Sequence, residues 1–484
     1  MDTYKGFIKR REMVFVKESG SAHREVGLKG SVFILFTILA MMIVGKLFMG
    51  FDTAILIMMV SVVTSAIYIF GYGFTWTELF DGGVIPMIAR ASGAILILLT
   101  VGPMIALWMA SGTVPYLIYL GLQILTPKTF LVSAAIICAM SSVLTGTSWG
   151  SAATFGVAFM GIAYGLGVPL PAAAGAVVAG SYFGDKMSPV SDTTVLAAAT
   201  AEADLIDHIK SMLWTTLPAF LIGLAIYGVV GSRSVGEMDM SKIDVIISAI
   251  QGNFNLGPVV LIPPVLLLVL AYMRYPTLPV LWVSMIAAAP LAMMQGNSLS
   301  KIVSIMAKGP SLATGAEAVD KLLNRGGFSF MAGAVAVVFF AYIFAGQLEY
   351  SGTIKIVTTA LRERFIKSSV GKFIFSVSLT GIITALGTGN SYLSIIMPGT
   401  MYKDLCDELS VDRRILSRTL EDSGTVIVSI VPWSAAGIYM SSVLDVPVLQ
   451  YLPWAVMCYA GAIVAWIYGF TGIGIMRTNK GTKE

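Results

Sequence analysis

The sequence predicts an all-α protein that crosses a membrane many times, and three observations support this fold class. Of 484 residues, 56% are hydrophobic and 12% are charged, whereas a soluble domain carries about 25% charged residues. The charges are segregated, and between Ala91 and Gly184 the only charged residue is Lys128. The apolar runs lack the alternating pattern of membrane barrels, so they must be helical to satisfy their backbone in lipid.

The apolar runs predict about 11 to 14 membrane segments, because a run of about 18 residues can span a bilayer. The segments that flank 145–150 and 387–391 are shorter than the about 20 residues that a helix needs to span, so it stays open whether 130–166 and 371–402 span the membrane or form re-entrant hairpins. We place the segments near residues 31–49, 52–71, 91–110, 130–147, 151–166, 170–200, 211–231, 257–273, 276–296, 328–348, 371–388, 391–402, 414–441 and 452–474.

An internal repeat divides the chain into two transmembrane halves, 31–231 and 257–474, with repeat 1 at about 74–231 and repeat 2 at about 297–474. A cytoplasmic N-terminal segment (1–30), a polar linker (232–256) and a cytoplasmic tail (475–484) complete the predicted organisation. The matches, at offsets between 237 and 241 in residue number, are Gly93-Ala94 with Gly333-Ala334, Ser111-Gly112-Thr113 with Ser351-Gly352-Thr353, Gly146-Thr147 with Gly387-Thr388, and Asp185 with Asp422.

The distribution of basic residues indicates that the repeats have opposite orientations. The loop 349–372 carries five basic residues, whereas its counterpart 111–129 carries only Lys128. Basic loops remain in the cytoplasm, so both basic termini are expected there, although the basic loop 297–327 fits this topology poorly. Many secondary transporters build a midplane site from inverted repeats with broken helices.

Two polar stretches at matching repeat positions interrupt the apolar pattern. Gly, Ser, Thr and Asn weaken a helix, and unwound backbone within a membrane offers carbonyls to cations and helix N-termini to anions. The alternative is a small-residue face that packs helices together. The stretches are Thr145-Gly146-Thr147-Ser148-Trp149-Gly150 and Gly387-Thr388-Gly389-Asn390-Ser391.

A third stretch, residues 184–194, carries two aspartates, Asp185 and Asp192, on either side of Pro189. Proline indicates a helix break, and an ionisable residue at this depth is costly and suggests function. The alternative is that Asp185 forms a structural ion pair with Lys186. Removing a carboxylate from water favours its protonated form, so Na⁺ and H⁺ could compete for one carboxylate. The proposed counterpart in repeat 2 is residues 421–425.

These stretches together predict one site for substrate and ions. Its Na⁺ ligands are predicted to be Asp185, Thr147 and Asp192. The full predicted set is Thr145, Gly146, Thr147, Ser148, Asp185, Ser188, Asp192, Thr193, Thr388, Gly389, Asn390, Ser391, Asp422, Ser423 and Thr425.

The stretches Tyr182–Thr194 and Arg418–Thr425 resemble signatures of the NhaC-type Na⁺/H⁺ antiporter family, part of a superfamily of inverted-repeat ion transporters. The resemblance covers roughly residues 30–470 and implies Na⁺-coupled exchange at the plasma membrane. Some members exchange organic acids, such as malate for lactate, and others amino acids. This sequence departs from the family pattern at Ile427-Val428-Ser429 and Ser434-Ala435, which leaves room for a larger, partly apolar solute.

The sequence therefore predicts a secondary antiporter that exchanges Na⁺ for H⁺, with a Na⁺/H⁺-coupled organic-anion or amino-acid exchanger as the alternative. Expected partners are the lipid bilayer, Na⁺ and H⁺; a small organic solute and a homodimer stay open. Two unlike half-sites in one chain disfavour a channel. No HExxH motif or phosphate-binding loop is present, and we expect His23 in the polar N-terminal segment and His208 in a polar loop. We expect no enzymatic activity, cofactor or nucleic-acid binding, and a multi-pass protein of the bacterial inner membrane.

Overall fold

The computed structural model describes residues 24–233, 240–315, 317–365 and 369–478. Across these ranges the regular structure is helical, apart from one isolated bridge between Val411 and Arg477, which confirms the all-α prediction. Most of the predicted N-terminal segment, including His23, and most of the predicted tail lie outside the described residues.

The first half contains helices that end and restart at several breaks. Short π-helical turns follow or precede some of them, at Val44–Phe48, Ile67–Gly71, Phe80–Val84 and Ala152–Gly156. The helices are α1 (Leu28–Ile43), α2 (Thr53–Ala66), α3 (Trp76–Leu79), α4 (Ile85–Ala110), α5 (Thr113–Ile124), α6 (Pro127–Thr145), α7 (Ser148–Ser151), α8 (Val157–Gly165), α9 (Leu170–Met187), α10 (Asp192–Ala201) and α11 (Leu205–Arg233).

The second half follows the same plan. It adds 3₁₀ turns at Pro258–Leu261 and Ile427–Ile430 and a π-helical turn at Glu421–Thr425. The helices are α12 (Met240–Asn253), α13 (Ile262–Tyr272), α14 (Thr277–Met294), α15 (Leu299–Lys308), α16 (Glu317–Leu323), α17 (Phe328–Tyr350), α18 (Thr353–Phe365), α19 (Val370–Thr388), α20 (Ser391–Glu408), α21 (Arg413–Leu420), α22 (Ala435–Leu444), α23 (Val448–Tyr451) and α24 (Val456–Thr471).

Among the described residues, eight helices are long and apolar enough to cross a membrane, or up to ten if two bent pairs each count as one span. The predicted number is larger because it counted half-helices, such as 151–166 and 391–402, as separate segments. One bent pair turns by 96° between 241–253 and 258–272, so the predicted polar linker 232–256 contains the helix α12.

One of the repeat matches is visible in the backbone. Gly112 and Gly352 both adopt left-handed conformations, with φ of +80° and +72°, at the start of α5 and α18. The Ser111 and Thr113 hydroxyls lie 2.9 Å apart, and the Ser351 and Thr353 hydroxyls lie 2.8 Å apart. The match of these two stretches is therefore confirmed.

Each of the two polar stretches forms a tip, the short turn at which one helix ends and the next begins, and the two tips have matching backbones. In the first, α6 ends at Thr145, Gly146 is left-handed with φ +66°, and Thr147 caps the next helix by accepting a bond from the Gly150 amide at 3.3 Å. In the second, α19 ends at Thr388, and Gly389 (φ +60°) and Asn390 repeat this arrangement. Gly146 thus corresponds to Gly389, and the sequence match of Gly146 to Gly387 is wrong by two positions.

The broken helices show the same register as the tips. The first break, 188–191, ends at Ser191, the N-cap of α10, and the second break, 431–434, ends at Ser434, the N-cap of α22. Pro189 and Pro432 occupy the same place in the two breaks. Counted back from the breaks, the counterpart of Asp185 is Val428, so the predicted match of Asp185 to Asp422 is wrong. The sequence match paired like residues without knowing where each helix stops.

Close helix packing sets each tip against the break of its own repeat. A Cβ atom added to Gly180 or Gly184 of α9 would lie 2.1 or 2.2 Å from a carbonyl oxygen of α6, so the two helices are in backbone contact. A Cβ on Gly146 would lie 2.9 Å from the carbonyl carbon of Val190, and one on Gly389 would lie 3.0 Å from Cα of Ser434.

The second halves of the broken helices connect the two repeats. Helix α10 packs against α20, the second arm of the hairpin in repeat 2. Helix α22 packs against α7, α8 and the π-helical turn between them, which form the second arm of the hairpin in repeat 1. Both tips and both breaks therefore meet in one region.

Candidate functional site

The two tips, the first break and residues on either side of the second break line a cavity of about 570 Å³, together with parts of α4 and the connection between α13 and α14. Eleven of the fifteen predicted site residues line it, so positions from both repeats, far apart in the sequence, are brought together. These eleven are Thr145, Gly146, Thr147, Ser148, Asp185, Asp192, Thr193, Gly389, Asn390, Ser391 and Thr425.

Four predicted residues do not line the cavity. The hydroxyls of Ser188, Thr388 and Ser423 each donate to a backbone carbonyl at 2.7 Å. The Asp422 carboxylate accepts from Lys186 instead. The prediction placed these residues by their polarity alone, whereas their side chains bond to backbone carbonyls or to Lys186 instead of facing the cavity.

Asp185 provides a buried carboxylate at the cavity wall. Its side chain is 6% exposed, and Oδ2 accepts a hydrogen bond from the Ser148 hydroxyl at 2.8 Å. Within the described ranges Oδ1 has no hydrogen-bond partner. Buried polar oxygens are nearly always paired, so this oxygen is available to a cation or a proton. The alternative ion pair of Asp185 with Lys186 does not form, because Lys186 turns to Asp422.

Asp192 lies at the first position of α10, on the same wall. Its Oδ1 accepts from the Thr193 amide at 2.9 Å, and its Oδ2 accepts from the Tyr392 hydroxyl. Tyr392 belongs to the second repeat and was not predicted as a site residue. The third predicted Na⁺ ligand, Thr147, lines the same cavity, so all three lie around one space.

An aromatic stack closes part of the wall. The rings of Trp149 and Tyr439 are 4.2 Å apart and nearly parallel, and the Tyr439 hydroxyl donates to the Trp149 carbonyl at 2.8 Å. Trp433 is different, because its indole donates to the Leu386 carbonyl at 2.7 Å and it is absent from the cavity lining. Trp433 therefore holds the second break against α19.

The two walls of the cavity differ in polarity. In the register set by the breaks, Val428 stands where the first repeat has Asp185, and Ala435 stands where it has Asp192. Ala436 likewise replaces Thr193. All of these positions line the cavity, so at them the first repeat supplies two carboxylates and a hydroxyl, whereas the second repeat supplies apolar side chains.

A second group of charged residues is buried outside the cavity. Lys186 and Asp422 form an ion pair with side chains 1% and 0% exposed, and Asp422 also accepts from the Thr215 hydroxyl at 3.1 Å. Glu421 is fully buried beside it.

His208 is fully buried within α11, so its predicted position in a polar loop is wrong. Its neighbours on the chain are exposed acids and a lysine, while the histidine faces inwards.

Two guanidinium groups also line the cavity. Arg90 of α4 binds both carboxylate oxygens of Glu349 in α17, at 2.7 and 2.8 Å. Arg274, between α13 and α14, is exposed and has a left-handed backbone with φ +65°. The predicted site did not include either arginine.

Apolar helices that are interrupted in pairs around one polar cavity define a membrane-embedded secondary transporter. The model of the Na⁺/H⁺ antiporter family matches residues 19–210 and 180–473. This chain belongs to the Na⁺/H⁺ antiporter family, and the predicted resemblance is confirmed.

Relatives of known name match most of the chain. An uncharacterized Na⁺/H⁺ antiporter of Haemophilus influenzae is 39% identical over 88% of this chain and 92% of its own length. The malate-2H⁺/Na⁺-lactate antiporter of Bacillus subtilis is 37% identical over 85% of this chain and 87% of its own length. The Na⁺/H⁺ antiporter NhaC of Alkalihalophilus pseudofirmus is 38% identical over 83% of this chain and 86% of its own length.

Proposed function

We propose that this protein is a secondary antiporter that exchanges Na⁺ for H⁺ across the membrane. The observation that carries the proposal is the Asp185 carboxylate, which is buried at the cavity wall with one oxygen unpaired among the described residues. Membership of the Na⁺/H⁺ antiporter family and the NhaC relatives support it.

Asp185 accounts for the exchange because it can hold either a proton or a cation. Carboxylate and hydroxyl oxygens suit a small hard cation, and Thr147 and Asp192 line the same space. A buried ionised carboxylate with neither ligand is costly, so the empty site resists reorientation across the membrane. Na⁺ binding then requires loss of the proton, and proton binding requires loss of Na⁺.

A second candidate function is exchange of a small organic solute together with Na⁺ or H⁺. The specific observation is the size of the cavity, about 570 Å³, whereas a water molecule occupies about 30 Å³ of liquid. Cavities of several hundred Å³ are typical of small-molecule sites. One relative bears the name of a malate-2H⁺/Na⁺-lactate antiporter.

The remaining features of the proposal follow from this function. We place the protein in the plasma membrane with both termini in the cytoplasm, on the basic residues near the termini. Transport would need no covalent chemistry and no cofactor. A homodimer is compatible with the proposal but is not required by it, since the described cavity is built from one chain.

The decisive variant is Asp185→Asn in proteoliposomes. Vesicles with an acidic interior and a trapped pH indicator receive external Na⁺, and exchange raises the internal pH. The amide has the size of the carboxylate but neither binds Na⁺ through a negative charge nor releases a proton. We expect Asp185→Asn to reduce the Na⁺-driven pH change to the level of empty liposomes.

A matched control is Asp81→Asn, which makes the same chemical change at an exposed aspartate outside the cavity lining. This control should exchange like the wild type. Normal Na⁺-driven proton movement by Asp185→Asn would show that Asp185 does not couple the two ions.

A further inference from the structure

A second pocket lies along helix α22, outside the cavity that Asp185 lines. It has a volume of about 340 Å³ and lies between α22 and the helices α1, α2 and α17. Two of its lining residues, Ile43 and Leu449, are large apolar side chains that are exposed. Exposed apolar surface on a membrane protein contacts lipid, so this pocket, which we call the α22 pocket, opens to the lipid.

The helices around the α22 pocket show where its ends lie. Helices α2 and α17 run in the same direction, because Ser61 donates to the Phe340 carbonyl at 2.7 Å. Further along both helices, Gln347 donates to the Ser65 hydroxyl at 2.6 Å. The starts of these two apolar helices are therefore level with each other, at one surface of the membrane.

The end of α22 lies at the same surface. Arg325, three residues before α17, forms an ion pair at 2.5 Å with Asp445, the residue after α22. The turn between α1 and α2 therefore lies level with the last turn of α22. This end of the α22 pocket is polar, with Lys46, Thr53 and Ser442 in its lining.

The α22 pocket has the depth of one leaflet. Its apolar end reaches Trp433 in the break before α22, and its polar end reaches Ser442 in the last turn of α22. The ten residues of α22 extend about 15 Å, which is half of the hydrocarbon thickness of about 30 Å. One acyl chain that enters from the lipid can therefore lie along the whole of α22.

Lys46 provides a positive charge at the polar end. Its Nζ donates to the Phe51 carbonyl at 3.2 Å and to the Thr53 hydroxyl at 2.9 Å, and both acceptors are neutral. The nearby Asp52 carboxylate accepts instead from two amides in the first turn of α2. An ammonium has three donors, and no ion pair among the described residues includes Lys46. Lys46 thus keeps one N–H and its charge for an anion.

We propose that the α22 pocket binds one anionic phospholipid, with an acyl chain along α22 and the phosphate at Lys46. The chain contacts Ala334 and Trp433, which line the pocket, and the phosphate accepts the remaining N–H of Lys46. The headgroup needs a net negative charge, because the choline of a zwitterionic lipid places a second cation beside the ammonium. Ala435 and Ala436 of the same helix line the cavity, so the lipid lies behind the cavity wall. The inference does not depend on ion exchange, and its failure would leave the proposed function unchanged.

The test is native mass spectrometry of the purified full chain released from detergent micelles. Phosphatidylglycerol and phosphatidylcholine with identical acyl chains are added in turn, and the dissociation constant of the first bound lipid is measured. We expect phosphatidylglycerol to bind the wild type at least tenfold more tightly than phosphatidylcholine. Lys46→Met removes the ammonium and should reduce this preference to less than threefold. The matched control is Lys29→Met, which makes the same change at an exposed lysine near the other end of α1 and should keep the tenfold preference.

A second pair of variants tests whether the acyl chain occupies the pocket. Ala334→Phe fills part of the apolar end and should weaken phosphatidylglycerol binding at least tenfold. Its control, Ala332→Phe, adds the same ring at an exposed position outside the pocket lining and should bind within threefold of the wild type. Glycerol phosphate, which carries the phosphate without a chain, should not displace the lipid at a hundredfold excess.

Four results would overturn the inference. These are equal binding of the two lipids by the wild type, an unchanged preference in Lys46→Met, an unchanged affinity in Ala334→Phe, and displacement of the lipid by glycerol phosphate. The last result would show that the site takes a free anion instead of a lipid. If Lys46→Met does not accumulate in the membrane, the Ala334 and Ala332 variants and the competition by glycerol phosphate decide.

Discussion

The ion pair between Lys186 and Asp422 connects the two repeats inside the protein, with both side chains almost fully buried. Replacing Lys186 with Met retains an unbranched apolar side chain and removes the ammonium group. Asp422 then remains buried without its cation, and Glu421 remains beside it. Breaking a buried ion pair from one side costs about 3–5 kcal/mol, and we expect Lys186→Met to lose stability in this range.

Removing the other partner of the pair, with Asp422→Asn, should lower the free energy of unfolding by less, about 1–3 kcal/mol. The asparagine oxygen can still accept the hydrogen bond that Thr215 donates at 3.1 Å. Glu421 lies close enough to Lys186 to interact with its charge, so the lysine keeps a carboxylate nearby. The double variant should be more stable than Lys186→Met alone, because neither charge of the pair is left behind.

The assay is unfolding of the purified protein in mixed micelles of increasing SDS content, followed by tryptophan fluorescence. The wild type, the two single variants and the double variant form a double-mutant cycle, from which we expect an interaction energy of at least about 1 kcal/mol. Additive effects, or single variants within about 0.5 kcal/mol of the wild type, would show that these residues do not form a stabilising pair.

Two further predictions concern packing and pH. Gly184→Ala should lower the free energy of unfolding by about 3 kcal/mol or more, because the added Cβ would lie 2.2 Å from the carbonyl oxygen of Ala139. The loss should be seen as a low yield and a low thermal stability. The control is Gly93→Ala, whose Cβ meets nothing within 4 Å, and this variant should be neutral or stabilising by about 0.5–1 kcal/mol. Hydrogen bonds from Arg414 hold the pKa of Asp412 below its usual value, so this pair stabilises the fold above the unfolded-state pKa of about 4 and loses its effect as the pH falls. Asp412→Asn should therefore lower the melting temperature slightly at pH 7 and not at pH 2, and an equal effect at both pH values would contradict this origin.

The interruptions of the helices could be predicted because their causes are local. Gly146 and Gly389 supply the left-handed residue that ends a helix, and Pro189 prevents continuation of another. The register of the repeat was missed because the acids Asp185 and Asp422 were matched to each other. The better signal was the pattern Pro-x-Ser, which occurs in both breaks and aligns the two repeats directly.

The contacts between repeats could not be predicted, because they depend on how distant helices pack. The bond of Tyr392 to Asp192 joins residues 200 positions apart, and that of Lys186 to Asp422 joins residues 236 apart. The burial of His208 did have a local signal. Residues 208, 211, 212 and 215 are all buried in α11, the spacing of one helix face, although exposed acids precede them.

The backbone contact of α9 with α6 constrains how this transporter can move. Two helices that slide past each other normally do so over a layer of side chains, and Gly180 and Gly184 remove that layer. We therefore expect the hairpin and the broken helix of the first repeat to move together as one rigid body. The proposed Na⁺ ligands Thr147 and Asp185 would then keep their separation throughout the transport cycle, while the helices around them rearrange.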